Sequence, residues 1–152
     1  MAIKKIVAVT GANGYVASWL VKVLLEQGYH MRGTVRNPDD TAKVGHLLEL
    51  PGAKERLTLH KADLLEEGAF DDIFTGVEGV FHLAQPTRLG PDEDREKDMV
   101  HPAVQGTIDV LSSAAKARTV KRVVYTSSHG ILSMSEAATF PEDSHVVVDE
   151  SW

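Results

Sequence analysis

Cysteine is absent from this chain, which removes disulfides, a thiol nucleophile and every cysteine-ligated zinc or iron–sulfur centre at once. Positive charge is short as well: 16 lysines and arginines face 22 acidic residues, a formal net charge of -6. A nucleic-acid binder normally presents a basic face, so no nucleic-acid partner is expected. Long apolar runs are missing too. The basic start Met1-Ala2-Ile3-Lys4-Lys5 leads into an apolar run that stops at Thr10-Gly11. That is too short for a signal-peptide core, and nothing approaches the ~18 apolar residues of a membrane span. The histidines show no H-x-x-x-H or similar spacing, so no metal is expected. The reading is a soluble, cytoplasmic protein without a membrane partner.

What is present is the composition of an ordinary globule, 43% hydrophobic and 25% charged over 152 residues. That length suits one domain, residues 1–152, with its own core. Short apolar runs predict strands at 6–9, 29–35, 57–60, 79–83 and 122–126. Between them lie helical patterns at 16–27, 41–50 and 68–74, and one ending near Lys116 whose regular part starts at Pro102. In the first helix Val16, Leu20, Val23 and Leu24 follow the i, i+4, i+7, i+8 spacing of an apolar face. Residues 88–94 read as a charged loop, 131–144 as loop and 146–148 as a short extended piece.

Strict β/α alternation with continuously apolar strands means a parallel sheet covered on both faces. Right-handed crossovers then predict an α/β, doubly wound Rossmann sheet of order 3-2-1-4-5.

The turn after the first strand reads Thr10-Gly11-Ala12-Asn13-Gly14-Tyr15-Val16-Ala17. Gly11 lets the chain turn off the strand, Gly14 keeps a Cβ away from a pyrophosphate, and Ala17 permits close helix–sheet packing. The following helix aims free N–H groups and the positive end of its dipole at such a ligand. The spacing is G-x-x-G-x-x-A, not a literal G-x-G-x-x-G, and no G-x-x-x-x-G-K-[ST] phosphate loop occurs. Dinucleotide binding is therefore expected; the alternative is a plain tight turn.

The second strand runs out at Val35-Arg36-Asn37-Pro38, with no carboxylate before Arg36, 25 positions past Gly11. An acidic residue there would accept from a ribose 2′-hydroxyl, whereas a guanidinium forks onto a 2′-phosphate. NADP(H) is the expected cofactor, with Lys43 and Arg32 adding charge. A solvated surface arginine is the alternative.

The segments V-T-G-A-N-G-Y-V-A-S-W-L, V-R-N-P, A-D-L, G-V-F-H-L-A, P-A-V-Q-G-T and K-R-V-V-Y-T-S-S together resemble the extended short-chain dehydrogenase/reductases. The similar branch is the dihydroflavonol, anthocyanidin and cinnamoyl-CoA reductase-like group. The resemblance implies that Gly11, Gly14, Tyr15 and Val16 line the cofactor diphosphate. Arg36 and Lys43 would meet the 2′-phosphate, while Asp63 and Leu64 border the adenine. It places Ala84 and Gln85 near the ribose and phosphates, and Thr126 and Ser127 beside the nicotinamide. Ser128 matches the serine that hydrogen-bonds the carbonyl of a small-molecule substrate. Gln85 departs from the small residue common in relatives, and His129 from a small or apolar one.

The family's acid is a tyrosine in a Tyr-x-x-x-Lys pair, whose lysine lowers the phenol pKa. Tyr15 is followed four on by Trp19, Tyr29 by Gly33 and Tyr125 by His129, so no pair occurs. The expectation is the cofactor portion of a reductase, truncated before the substrate-binding part. A non-catalytic NADP(H)-binding or sensing protein is the competing reading. Apolar faces meant for missing segments would then promote self-association.

Overall fold

The strands are short, four to six residues each, and the central ones are buried by their neighbours and by the helices. The architecture comes from a computed structural model, which describes residues 5–86 and 96–128. Strands β1 (Ile6–Thr10), β2 (His30–Val35), β3 (Leu57–Lys61), β4 (Gly79–His82) and β5 (Arg122–Tyr125) form one parallel sheet. Its order is β3-β2-β1-β4-β5, as the alternation predicts. Helices α1 (Tyr15–Glu26), α2 (Thr41–Leu48), α3 (Ala53–Arg56), α4 (Asp71–Phe74) and α5 (His101–Ala117) connect them, and a π-helical turn, Glu96–Val100, leads into α5.

Alternate residues of the central strand feed two core layers, as a period of two requires. Val7 and Val9 pack with Val21, Leu24 and Leu25 of α1 and with Met31, Val35, Val44 and Leu47. Ala8 and Val80 pack on the other face with Phe70, Phe74, Val77, and Val110 and Ala114 of α5. Pro102 sits in the first turn of α5, directly after the π-helical turn.

Three local expectations are corrected. The buried face of α1 is Ala17, Val21, Leu24 and Leu25, whereas Val16 is 61% and Val23 43% exposed. Leu24 is common to both faces and Leu20 packs partly buried against the core, so the face is shifted by one residue and not replaced. Apolar residues fill every position of this helix outside the Ser18, Lys22 and Glu26 stripe, so spacing alone did not choose a face; the small Ala17 is buried in the core and Val16 is left exposed. The helix expected at 68–74 contracts to the single turn of α4, and α3 is a turn that no periodicity announced. The expected loops at 88–94 and 131–144, and the piece at 146–148, lie outside the described residues.

Among the described residues no helix is long and apolar enough to cross a membrane. No group of three or more metal-type ligands occurs among them either.

Candidate functional site

In a parallel sheet all strand exits lie on one edge, so residues 11, 36, 62–64, 83–85 and 126–128 leave the sheet side by side. The crossover to β2 leaves β1 in one direction and the chain returns to β4 on the other side. The crevice of a doubly wound sheet opens at that reversal, between β1 and β4.

At the exit of β1, Gly11 has φ of 64°, a conformation that costs an L-side chain about 1–2 kcal/mol. A Cβ there would also stand 3.0 Å from the Ala84 Cα. Gly11 thus brings the first turn against the exit of β4. Several amides of the turn are already spent. Gly11 N donates to Thr34 Oγ1 (3.3 Å), Ala12 N to Thr34 O (2.9 Å) and Gly14 N to Gly11 O (2.9 Å). The first bond of α1 runs from Ser18 N to Gly14 O (2.8 Å). The amides of Tyr15, Val16 and Ala17 precede it and have no acceptor within the helix. Gly14 carries no side-chain cap, and the first turn of α1 holds no acidic residue. The positive end of the helix is therefore open to an anion, with Tyr15 and Val16 exposed around it. The residues present fit a diphosphate.

Gly33 supports this turn from below, and the spacing argument did not select it. A Cβ on it would meet the Ala12 Cβ at 2.9 Å and Leu59 Cδ2 at 3.0 Å. A glycine inside a strand was the available signal of close approach.

At the exit of β2, Arg36 is exposed, and none of the hydrogen bonds or ion pairs found among the described residues involves it. Lys43, in the first turn of α2, is instead paired with Asp40 at 2.9 Å, which lowers the Asp40 pKa. Arg32 does not join them. Its guanidinium donates to the carbonyls of Ile73 (2.6 Å) and Thr75 (2.7 Å) at the end of α4, so the charge expected from it at the phosphate is engaged elsewhere. Ala62 N donates to Val35 O (3.0 Å), which joins the exits of β2 and β3. Asp63 Oδ1 accepts from Leu65 N (3.0 Å) and shapes the next turn. Leu64 lies on Gly106 of α5, where a Cβ would come within 2.8 Å of its own.

The exits of β4 and β5 share polar contacts. Thr10 Oγ1 accepts from Leu83 N (3.1 Å) and Ala84 N (3.0 Å) and lies 2.8 Å from His82 Nδ1. Thr107 Oγ1 of α5 lies 3.4 Å from His82 Nε2 and donates to Ala103 O (2.8 Å). His82 is 1% exposed, and burial pushes its pKa down to about 4. Nothing in the local sequence marks His82, because its partners Thr10 and Thr107 come to it only in the folded sheet. Gln85 Nε2 donates to Tyr125 Oη (3.0 Å), and the Tyr125 ring leans on His82 with centroids 5.5 Å apart. Thr126 N donates to His82 O (3.1 Å), and Thr126, Ser127 and Ser128 follow, all exposed. His129 and His145 lie outside the described residues.

The sheet thus brings Gly11, Gly14, Tyr15, Val16, Ala84, Gln85, Thr126, Ser127 and Ser128 to its carboxyl edge, with Arg36, Asp63 and Leu64 on the β2–β3 side. From β2 to β5 is three strand spacings, about 14 Å, so a ligand touching Arg36 and Ser128 must lie across the strands.

A family model described as the NAD dependent epimerase/dehydratase family matches residues 7–148. The chain is 50% identical over 147 residues to a cinnamoyl-CoA reductase of Medicago truncatula, covering 97% of this chain and 44% of that protein. It is 52% identical over 130 residues to a dihydroflavonol 4-reductase of Callistephus chinensis, covering 86% and 35% respectively. Among solved structures, Gre2 of Candida albicans in complex with NADPH superposes with a TM-score of 0.73 at 37% identity, covering 83% of this chain and 38% of that one. The chain therefore spans well under half the length of these relatives.

Proposed function

The chain belongs to the NAD dependent epimerase/dehydratase family, and from that membership we propose that it is the NADP(H)-binding portion of a carbonyl reductase. The substrate class is that of its relatives: a dihydroflavonol, a cinnamoyl-CoA thioester or an aldehyde. The observation that carries the reading is the pairing of an uncapped α1 N-terminus with the exposed Arg36 one strand away. The first suits a diphosphate and the second a 2′-phosphate.

In this reading the amides of Tyr15, Val16 and Ala17 hold the diphosphate, and Arg36 forks onto the 2′-phosphate. Lys43 contributes long-range charge, already partly spent on Asp40. Asp63 and Leu64 border the adenine, with Leu64 seated on Gly106. Ala84 and Gln85 flank the ribose and phosphates, and Thr126 and Ser127 stand beside the nicotinamide. The bound cofactor supplies hydride to a carbonyl carbon. Ser128 donates a hydrogen bond to the carbonyl oxygen as negative charge gathers there.

A second reading shares the same cofactor site, whose features do not by themselves require turnover. That reading is a protein that binds or senses NADP(H) without turning over a carbonyl. A fluorescence titration with NADPH and NADH tests the shared premise. NADPH should bind at least about tenfold more tightly, the worth of a charge-assisted phosphate contact; equal affinities overturn it. NADPH oxidation in the presence of an aldehyde or cinnamoyl-CoA then separates reductase from binding protein.

A further inference from the structure

Thr10 Oγ1 has two lone pairs and one hydrogen. Both lone pairs face amides, Leu83 N at 3.1 Å and Ala84 N at 3.0 Å, and amides only donate. The hydroxyl hydrogen therefore goes to His82 Nδ1, 2.8 Å away, so Nδ1 must be bare. A neutral imidazole then carries its hydrogen on Nε2, which points to Thr107 Oγ1, whose own hydrogen goes to Ala103 O. Every member has one assignment, and the chain of bonds closes only that way. Moving the ring hydrogen to Nδ1 would aim three donors at one oxygen and leave the Thr10 hydrogen without an acceptor.

We propose that His82 is a positioning residue for the cofactor cradle: its bare Nδ1 holds the Thr10 hydroxyl so that both amides after β4 are captured and Ala84 stays against Gly11. The ring touches neither cofactor nor substrate; it acts through Thr10. The space between Gly11 and Ala84 is the floor of the crevice, and the contact there leaves no slack, since a Cβ on Gly11 would already be 3.0 Å from the Ala84 Cα. Burial, which lowers the His82 pKa, keeps the ring neutral at ordinary pH. The functional consequence rests on the NADP(H)-binding reading; the tautomer and the amide capture do not.

Two variants of the intact chain divide the ring's two roles. His82→Asn puts a carbonyl oxygen near the place of Nδ1, and His82→Gln puts an NH2 near the place of Nε2. The wild type should show an acceptor-type Nδ1 in imidazole 15N shifts, and slow hydrogen exchange at the Leu83 and Ala84 amides. His82→Asn should keep that protection and bind NADPH within about threefold of wild type. His82→Gln should lose the protection and bind about tenfold more weakly, the effect of one hydrogen bond to a buried acceptor. A folded His82→Asn as weak as His82→Gln, or a protonated Nδ1 in the wild type, overturns the proposal. So does a His82→Gln with wild-type protection and affinity. Should His82→Gln not fold, the 15N shifts and His82→Asn still decide. A wild type with the expected 15N shifts and protection but no NADPH binding would overturn the functional consequence and the cofactor reading, leaving the tautomer assignment standing.

Discussion

β1 and β5 are short strands of similar composition, Ile-Val-Ala-Val-Thr and Arg-Val-Val-Tyr, in the same parallel sheet. Their surroundings are opposite. In β1, Ala8, Val9 and Thr10 are fully buried between β2, β4 and both helical layers. In β5, only Val123 is even half-buried, and Val124 and Tyr125 are 44% and 49% exposed. Neighbouring α5 shows the same asymmetry: Val110 and Ala114 are buried, while Val104, Ile108 and Leu111 stay open to solvent at helical spacing. β-branched residues thus mark a strand but not its depth in the sheet. Depth is set by pairing on both edges, and among the described residues β5 is paired only with β4.

The largest effect should come from truncating equivalent valines. Val9→Ala empties packed space and is expected to cost about 2–3 kcal/mol. Val124→Ala should cost about 0.5 kcal/mol or less. Urea unfolding of both variants measures the contrast, and equal losses would break it.

Acid should act next, through the buried side. The His82 pKa in the folded chain is about 4 against an ordinary 6.5, so the unfolded chain binds more protons between those values. Stability is then complete above about pH 6.5 and drains as pH falls toward 4, by about 2 kcal/mol once solvent screening is discounted from the full ~3.4 kcal/mol, with no further loss from this group below that. His60, lowered by burial and by Arg32, acts in the same direction, below its ordinary value. His82→Asn should flatten most of that slope in denaturant titrations at stepped pH, and an unchanged slope would assign it to His60.

Charge at the other end of the crevice should be felt in affinity alone. Arg36→Ala is expected to reduce the NADPH-over-NADH preference about tenfold, leaving thermal stability within about 0.5 kcal/mol. Asp40→Asn, which releases Lys43 from its 2.9 Å pair, should tighten NADPH about twofold to threefold, a surface-charge effect that salt erases. A loosening on Asp40→Asn would remove Lys43 from the site.

The smallest change in stability should accompany the largest change in association. We propose that the apolar stripe on α5 drives the chain to pair with itself. Ile108→Glu should then shift sedimentation from dimer to monomer while moving the unfolding midpoint by about 0.5 kcal/mol or less. A monomeric wild type would sink that proposal.

Much of the carboxyl edge was legible beforehand because local rules write it. Gly11 at positive φ and the exposed Arg36 after the second strand occupy the expected places. Other features were not legible, for identifiable reasons. Spacing does not fix the buried face of α1, because apolar residues fill every position outside the Ser18, Lys22 and Glu26 stripe. Arg32 reads as charge available to a phosphate because charge is visible in a sequence, whereas the Ile73 and Thr75 carbonyls that hold it are not.

By itself the sequence determined the alternation of strands and helices, hence a parallel sheet, its order and the edge on which a ligand must lie. These follow from periodicity and chain handedness, which act over a few residues at a time. Tertiary structure alone decided how the crevice floor is held. Thr10 meets His82 across 72 positions, Gly33 makes room for Ala12, and Thr107 on a distant helix completes the chain of hydrogen bonds. A donor and an acceptor find their partners only after the sheet has brought them together, so no local pattern carries that information.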